Sequence, residues 1–277
     1  MRLWLDGALV DAAAARIDPA DRGFLLGDGL FETMRADGGR VVRLARHLAR
    51  LRQGAGALGI GLALDDDAIA RALETTLEAN GQGRGGAALR LTLTRGPGPR
   101  GLLPPSDASP TLMIAAFALP PLRPPAQAVI VRGVARNQGS ITSRLKGLGY
   151  LDNILALREA QAGGSDEALL LNAAGRLACA SAANLFLVAD GRLLTPPPEE
   201  GVLPGITRGR LLELAPTLRI ACSERPLEPG AIDAAQEAFV SSSLGLVRPV
   251  ARIGSRLLPA PGPVTARLTA ALLADPG

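Results

Sequence analysis

The sequence predicts an α+β chain in two domains, a small N-terminal α/β domain followed by a larger C-terminal domain of mixed β structure with helices. Three observations carry this expectation. The 277 residues exceed one typical domain and leave ample material for sizeable cores. Strand-like and helix-like stretches occur in both halves, without an internal repeat. The run Pro120-Pro121-Leu122-Arg123-Pro124-Pro125 is the sharpest composition break in the chain. It places the small domain at residues 1–119, a linker at 120–127 and the large domain at 128–277.

Residues 2–10, turned by Asp6-Gly7, read as a hairpin. A loop at residues 18–23 leads into 24–35, whose last part alternates as a strand, and Asp37-Gly38-Gly39-Arg40 turns it back into another. Gly27-x-Gly29 lacks the third glycine of a dinucleotide fingerprint. From residue 44 to 58 apolar positions recur at helical spacing, on a helix that also carries Arg46, Arg50 and Arg52. His47, on the same helix, reads as an exposed structural or capping residue. Asp65-Asp66-Asp67 starts a second helix that ends near Asn80-Gly81. Strands follow at 87–94 and 112–119, separated by a rigid loop of Gly and Pro that contains Arg95, Arg100 and Leu102. In the second half, strands are expected at 128–132, 167–171, 185–188, around 193–195 and at 238–241. Helices are expected at 150–162 and from about 203 to 215.

Composition removes several function classes. The formal net charge is only +4, the arginines are scattered, and aromatic residues make up 3%, so neither a basic patch nor a base-stacking platform for nucleic acid is expected. No apolar run reaches the roughly 18 residues of a membrane-spanning helix. The opening Met1-Arg2-Leu3-Trp4-Leu5-Asp6-Gly7 lacks the long apolar region of a signal peptide, so a cytoplasmic protein is expected. Cys179 and Cys222 are too far apart for a zinc knuckle and suggest a reducing compartment. With a single histidine, a multi-histidine metal site is impossible and no metal is expected.

Lys146 is the one lysine among 30 basic residues. A guanidinium stays charged, whereas a desolvated lysine can lose its proton and attack a carbonyl. A lone lysine followed by Gly147-Leu148-Gly149 is therefore a candidate Schiff-base residue. Composition alone also allows that one lysine codon drifted less than the others. Gly205-Ile206-Thr207 opens a helix with backbone N–H groups and a hydroxyl that could hold a phosphate. Read singly, that segment is also an ordinary helix start, and Ser241-Ser242-Ser243 an ordinary polar turn.

Taken together, these segments resemble in order and spacing the class IV (fold type IV) pyridoxal-phosphate aminotransferases. That family includes branched-chain aminotransferases, D-amino-acid aminotransferases and aminodeoxychorismate lyase. The resemblance runs from Asp21-Arg22-Gly23 and Gly27-Asp28-Gly29-Leu30-Phe31-Glu32 to Val247-Arg248-Pro249-Val250. Its most specific parts are Asp166-Glu167-Ala168-Leu169-Leu170-Leu171, Ala183-Asn184-Leu185-Phe186, Asp190-Gly191-x-Leu193-x-Thr195-Pro196-Pro197 and Leu203-Pro204-Gly205-Ile206-Thr207-Arg208. It implies pyridoxal 5'-phosphate as cofactor, amino-acid and 2-oxo-acid substrates, and a homodimer. By resemblance Lys146 is the Schiff-base lysine and proton shuttle. Arg50, Ile206, Thr207 and Ser243 hold the phosphate, Leu203 packs on the ring, and Tyr150 lies near the lysine. Phe31, Arg100 and Leu102 fall at substrate-binding positions.

One departure stands out. Relatives carry a glutamate that pairs with the pyridine nitrogen, in a run like Gly-x-x-x-Glu-x-x-x-x-Asn; here Gly175 to Asn184 places Cys179 there. A neutral thiol is a weak partner, so the ring should take up electrons less readily. In the D-amino-acid enzymes an arginine aligned with Arg100 binds the substrate carboxylate, with a histidine and a tyrosine that correspond here to Leu102 and Phe31. The first expectation is therefore an aminotransferase acting on D-amino or branched-chain amino acids. The second is aminodeoxychorismate lyase, whose aromatising elimination of pyruvate tolerates a weak nitrogen partner. The third is a cofactor-binding relic.

Overall fold

The computed structural model describes residues 1–275 of the chain. Two compact units appear among them: Met1–Pro120 with Leu145–Gly149, and Pro121–Arg144 with residues 150–275. The short lysine segment thus belongs to the first unit, although the sequence around it belongs to the second.

The first unit is built on six antiparallel strands, β1 (Arg2–Leu5), β2 (Ala8–Asp11), β3 (Gly29–Asp37), β4 (Arg40–Val41), β5 (Gly86–Thr94) and β6 (Thr111–Ala118), in the order β2-β1-β6-β5-β3-β4. β3 and β5 pair along their whole length, from Gly29 opposite Thr94 to Asp37 opposite Gly86. Side chains alternate across a strand, so Leu30, Met34, Leu89, Leu91, Leu93 and Ile114 share one face and Phe31 and Arg90 take the other. The first set is buried with residues of α2 (Leu44–Leu58) and α3 (Asp66–Ala79) in one apolar core. α2 comes close to β3 at Gly54, where a Cβ would sit 2.9 Å from the Leu30 side chain. α3 starts as its sequence requires: the Asp65 carboxylate accepts from the Ala68 N–H, with Asp66 and Asp67 in the first turn.

α1 (Arg22–Leu26) is a helix where the sequence suggests a loop running into a strand, because five residues are too few to show a helical period. Its N-cap, Asp21, is fully buried and accepts hydrogen bonds from the Gly23 N–H and the hydroxyls of Thr94 and Thr111. His47 also departs from the sequence reading. It is 2% exposed rather than on a solvated helix face, because it points to a buried carboxylate on β3.

The second unit holds β7 (Ala126–Ile130), α4 (Leu151–Ala162), β8 (Glu167–Leu171), β9 (Leu177–Ala180), β10 (Asn184–Ala189), β11 (Arg192–Thr195), α5 (Ile206–Thr217), β12 (Cys222–Glu224), α6 (Ala231–Ala234), β13 (Glu237–Ser242), β14 (Leu246–Ile253), β15 (Arg256–Leu257) and α7 (Pro263–Ala274). Ala126 and Gln127, expected in the linker, are the first residues of β7. The strand order is β12-β11-β10-β13-β14-β7-β8-β9, with β15 on β14. β9 also pairs with β10 through Cys179 and Asn184, which closes six of these strands into a ring. Small and branched residues such as Ala128, Leu169, Ala180, Leu185, Val240 and Val250 fill one face of that ring. On the other, Phe186 stacks on Phe239 with ring centroids 4.7 Å apart beside α5 and α7. Among the described residues no helix is long and apolar enough to cross a membrane.

Candidate active site

The lysine segment is fastened along β3. The Phe31 N–H donates to the Lys146 carbonyl (2.9 Å) and the Leu148 N–H to the Gly29 carbonyl (3.2 Å). This approach needs glycine at position 29, where a Cβ would lie 2.8 Å from the Leu148 side chain and 3.0 Å from the Thr94 Cα. The Lys146 Nζ stands 4.4 Å from the centroid of the Phe31 ring, and the Arg90 guanidinium 3.9 Å from it. An aromatic face attracts both cations, so Phe31 seats the amine and the arginine together. The half-buried amine is lowered to about 8: desolvation and the positive charges of Arg50 and Arg90 outweigh the opposing pull of Glu32. A lysine in this state is part neutral near neutral pH, as a nucleophile or proton carrier must be.

Glu32 follows Phe31 on β3 and is 1% exposed. Its carboxylate accepts from Arg50 Nε (2.8 Å) and Nη2 (2.6 Å), a bidentate pair, and lies 2.6 Å from His47 Nδ1. Burial pushes the Glu32 carboxyl up, but the hydrogen bonds from His47 and Arg50 win and hold it below its usual range. Burial lowers His47, which Glu32 offsets only in part, so the imidazole is neutral and Nδ1–H is the donor.

A second group of residues lies in the other unit at the start of α5. Gly205 is the helix N-cap and, having no side chain, makes no capping bond of its own, which leaves the N–H groups of the first turn for an anion to take. Gly205 has no room for a side chain: a Cβ would meet Asn184, whose Nδ2 donates to the Leu203 carbonyl (2.9 Å). Thr207 is buried one residue inside the helix, and Ile206 and Leu203 are half-buried. Asn184 is paired in the sheet with Ser241, whose buried hydroxyl has no hydrogen-bond partner among the described residues, and Ser243 sits in the tight turn that follows. An uncapped helix start and an orphaned buried hydroxyl, both beside Asn184, fit a phosphate group.

Cys179 is a free, buried thiol on β9, among Ala156, Ala160, Leu170 and Val202. Desolvation raises its pKa, the charge of Arg136 lowers it in part, and Glu167 adds to the rise, so the thiol stays neutral. Arg136 is itself held by the carbonyls of Gly201 (3.2 Å) and Ser143 (2.7 Å). Tyr150 is the N-cap residue of α4. Arg100 and Leu102 stand exposed on the loop after β5. Arg22 shapes that loop, donating to the carbonyls of Gly101 (2.9 Å) and Leu102 (2.7 Å). Its Nε bonds Asp28, which Arg95 also clamps.

Of the residues singled out from sequence, Lys146, Phe31 and Arg50 come together in the first unit, and Leu203, Ile206 and Thr207 line one helix start in the second. Glu32, His47, Arg90, Asn184 and Ser241 enter the site only through the structure. Glu32 had a usable signal: a carboxylate between Leu30 and Met34 on the apolar face of a strand must find a cation. Among the described residues no group of three or more His, Cys, Asp or Glu side chains could hold a metal ion.

The family model for amino-transferase class IV matches residues 29–253. The chain belongs to the class IV aminotransferase family. It is 33% identical over 260 residues to a Methanocaldococcus jannaschii protein provisionally named a branched-chain-amino-acid aminotransferase, covering 93% of this chain and 90% of the relative. Aminodeoxychorismate lyase of Bacillus subtilis is 28% identical over 252 residues, 91% of this chain and 86% of that protein. The fold matches the branched-chain aminotransferase of Thermoproteus uzoniensis, solved with norvaline, at a TM-score of 0.91 and 32% identity, covering 98% and 93% of the two chains. The architecture is therefore that of the fold type IV enzymes, and enzymes of this class depend on pyridoxal phosphate.

Proposed function

We propose that this chain is a pyridoxal-phosphate aminotransferase that carries an amino group between a branched-chain or D-amino acid and a 2-oxo acid, with Lys146 as its Schiff-base lysine. The observation that carries this reading is the seating of the chain's one lysine amine against Phe31, with its proton held loosely at about 8. Pyridoxal phosphate, when bound, supplies an aldehyde that takes up the amino group and a ring that takes up electrons. Lys146 would hold the cofactor through its Nζ and would carry a proton to and from the substrate's α-carbon. The N–H groups of Ile206 and Thr207, the Thr207 hydroxyl and the turn of Ser241 and Ser243 would hold the phosphate, and by the family resemblance Arg50 would too. Leu203 would pack on the ring, Phe31, Arg90, Arg100 and Leu102 would receive the substrate, and Tyr150 has a role by the family resemblance alone.

The branched-chain type is the better supported of the two substrate classes. Phe31 and Leu102 replace two hydrogen-bonding groups of the D-amino-acid carboxylate trap, and each lost contact to a charge costs about 1–3 kcal/mol. A homodimer goes with this reading, supported by a cluster of exposed apolar side chains in the first unit: Phe24 (76% exposed), Leu25, Leu26, Leu102 and Leu103 (86%). A cytoplasmic location is the matching expectation.

One observation favours a lyase as the second reading. Cys179 is a neutral thiol at the position expected to face the ring nitrogen, and an elimination driven by aromatisation tolerates that better. Mixing the holoenzyme with L-valine, L-leucine or D-alanine should shift the cofactor's absorbance to that of its amine form. Borohydride reduction of the resting enzyme should fix the cofactor to the peptide containing Lys146. No shift with any amino acid, together with pyruvate released from aminodeoxychorismate, would select the lyase. Neither response would leave a cofactor-binding relic, and a reduced cofactor found elsewhere would remove Lys146 from its role.

A further inference from the structure

We propose that Glu32 is a positioning residue of this site: its carboxylate, anchored by His47, fixes the guanidinium of Arg50 and supplies the counter-charge for the amine of Lys146. The inference rests on the reading of Lys146 as the reactive amine, and goes beyond it by assigning a task to two residues that touch neither substrate nor cofactor.

The geometry is that of a built clamp. Both oxygens of Glu32 are used, one by Arg50 Nε and the other by Arg50 Nη2 and His47 Nδ1, at 2.6 to 2.8 Å. Arg50 and His47 lie three residues apart on α2 and therefore on one helix face, opposite β3. A guanidinium held along its Nε–Nη2 edge cannot rotate, so its remaining donors have a set direction. His47 is needed because the carboxylate could otherwise swing about its last bond, and a neutral imidazole restrains it without adding charge.

The charge balance gives the second part. The Lys146 carbonyl accepts from the N–H of Phe31, the residue before Glu32, and its Nζ lies 4.4 Å from the Phe31 ring centroid. The charged or titratable groups that bear on the amine there are Arg50 and His47 from α2, Arg90 from β5 and Glu32 from β3. Among these four only Glu32 is anionic. A purely structural reading explains the position poorly. A buried ion pair is seldom better for stability than apolar residues of like volume, and the neighbouring positions on that strand face are Leu30 and Met34.

The test uses the intact protein freed of cofactor. Lys146 and the N-terminus are its two aliphatic amines. After reductive methylation with carbon-13 formaldehyde each gives its own NMR signal, and Lys146 can be titrated directly. With Glu32→Gln the Lys146 midpoint should fall by roughly one pH unit, since its one anionic neighbour is lost. His47→Gln should shift it less. The preference for pyridoxal phosphate over pyridoxal should drop roughly tenfold or more in both variants, because Arg50 loses its fixed direction. Asp66→Asn, which breaks the exposed pair with Arg52, should change neither quantity. If Glu32→Gln does not fold, Glu32→Asp, which keeps the charge but withdraws the carboxylate from Arg50 by one methylene, must still lower the phosphate preference, with a smaller downward shift of the midpoint. A folded Glu32 variant with an unchanged midpoint and an unchanged phosphate preference overturns the proposal. Borohydride labelling of the wild type reports separately: if it misses Lys146 the functional reading fails, while the titration still measures the effect of Glu32.

Discussion

Replacing Gly205 with alanine tests whether the start of α5 is the phosphate site. The backbone does not forbid the change, since φ there is −68°. Space does. The added Cβ would lie 3.2 Å from Asn184 Cγ and 3.3 Å from Arg208 Cβ, and closer still to Asn184 Oδ1. Asn184 cannot swing aside without giving up its bond to the Leu203 carbonyl. Stranding a buried polar group in that way costs about 1–3 kcal/mol, and in a domain of this size each kcal/mol lowers the melting temperature by about 2–4 °C. The other escape is for the helix start to move by about 1 Å, which can cost on the order of 100-fold in a positioned reaction. Gly205→Ala should therefore melt a few degrees lower and bind pyridoxal phosphate at least roughly tenfold more weakly, by absorbance titration, with pyridoxal affected less. Asn184→Ala removes the obstacle, so the double variant should be little worse than Asn184→Ala alone. Gly230→Ala, with nothing within 4 Å and φ −62°, should be silent. A Gly205→Ala protein with wild-type phosphate discrimination, or strictly additive losses in the cycle, would refute the assignment.

Three further outcomes follow from the same structure. Cys179→Glu should alter the cofactor's absorbance and raise turnover by giving the ring nitrogen a carboxylate; unchanged spectra and rates would remove Cys179 from that position. In the cofactor-free protein the Lys146 amine loses its proton near pH 8 when folded and near 10.5 when unfolded. The unfolded chain binds more protons between those values, so stability should rise with pH across that window. Below pH 8 Lys146→Met should be the more stable protein, by at most about 3 kcal/mol in urea titrations, and the gap should close by pH 10.5. Leu103→Glu, at an exposed apolar position, should lower the sedimentation mass to that of a monomer if this patch joins two copies, whereas Glu213→Gln should not.

Much of the architecture was legible because it rests on local signals. The period of residues 44–58 matches α2, the three aspartates mark the start of α3, and alternation over residues 87–94 marks β5 to within a residue. β9 looks like a connection in the sequence, because Gly175 and a run of small residues resemble a turn. It is a strand only because pairing with both β8 and β10 closes the ring. β14 and α7 have no clear local signal: Pro249 interrupts the first, and the first turn of the second is bonded by Glu237, a side chain 27 and 28 residues before the N–H groups it accepts from.

From the sequence alone came the family resemblance, the lysine that sets this chain's chemistry apart from its many arginines, and the substitution at Cys179. These are properties of residue type and order, which need no third dimension. Only the tertiary structure decided that Lys146 lies along β3 in the first unit, that Phe31 and Arg90 share its seat, and that His47 is buried against Glu32. Those facts depend on which distant segments pack together, and the free energy of a buried charge is set by its partners in space and not by its neighbours along the chain.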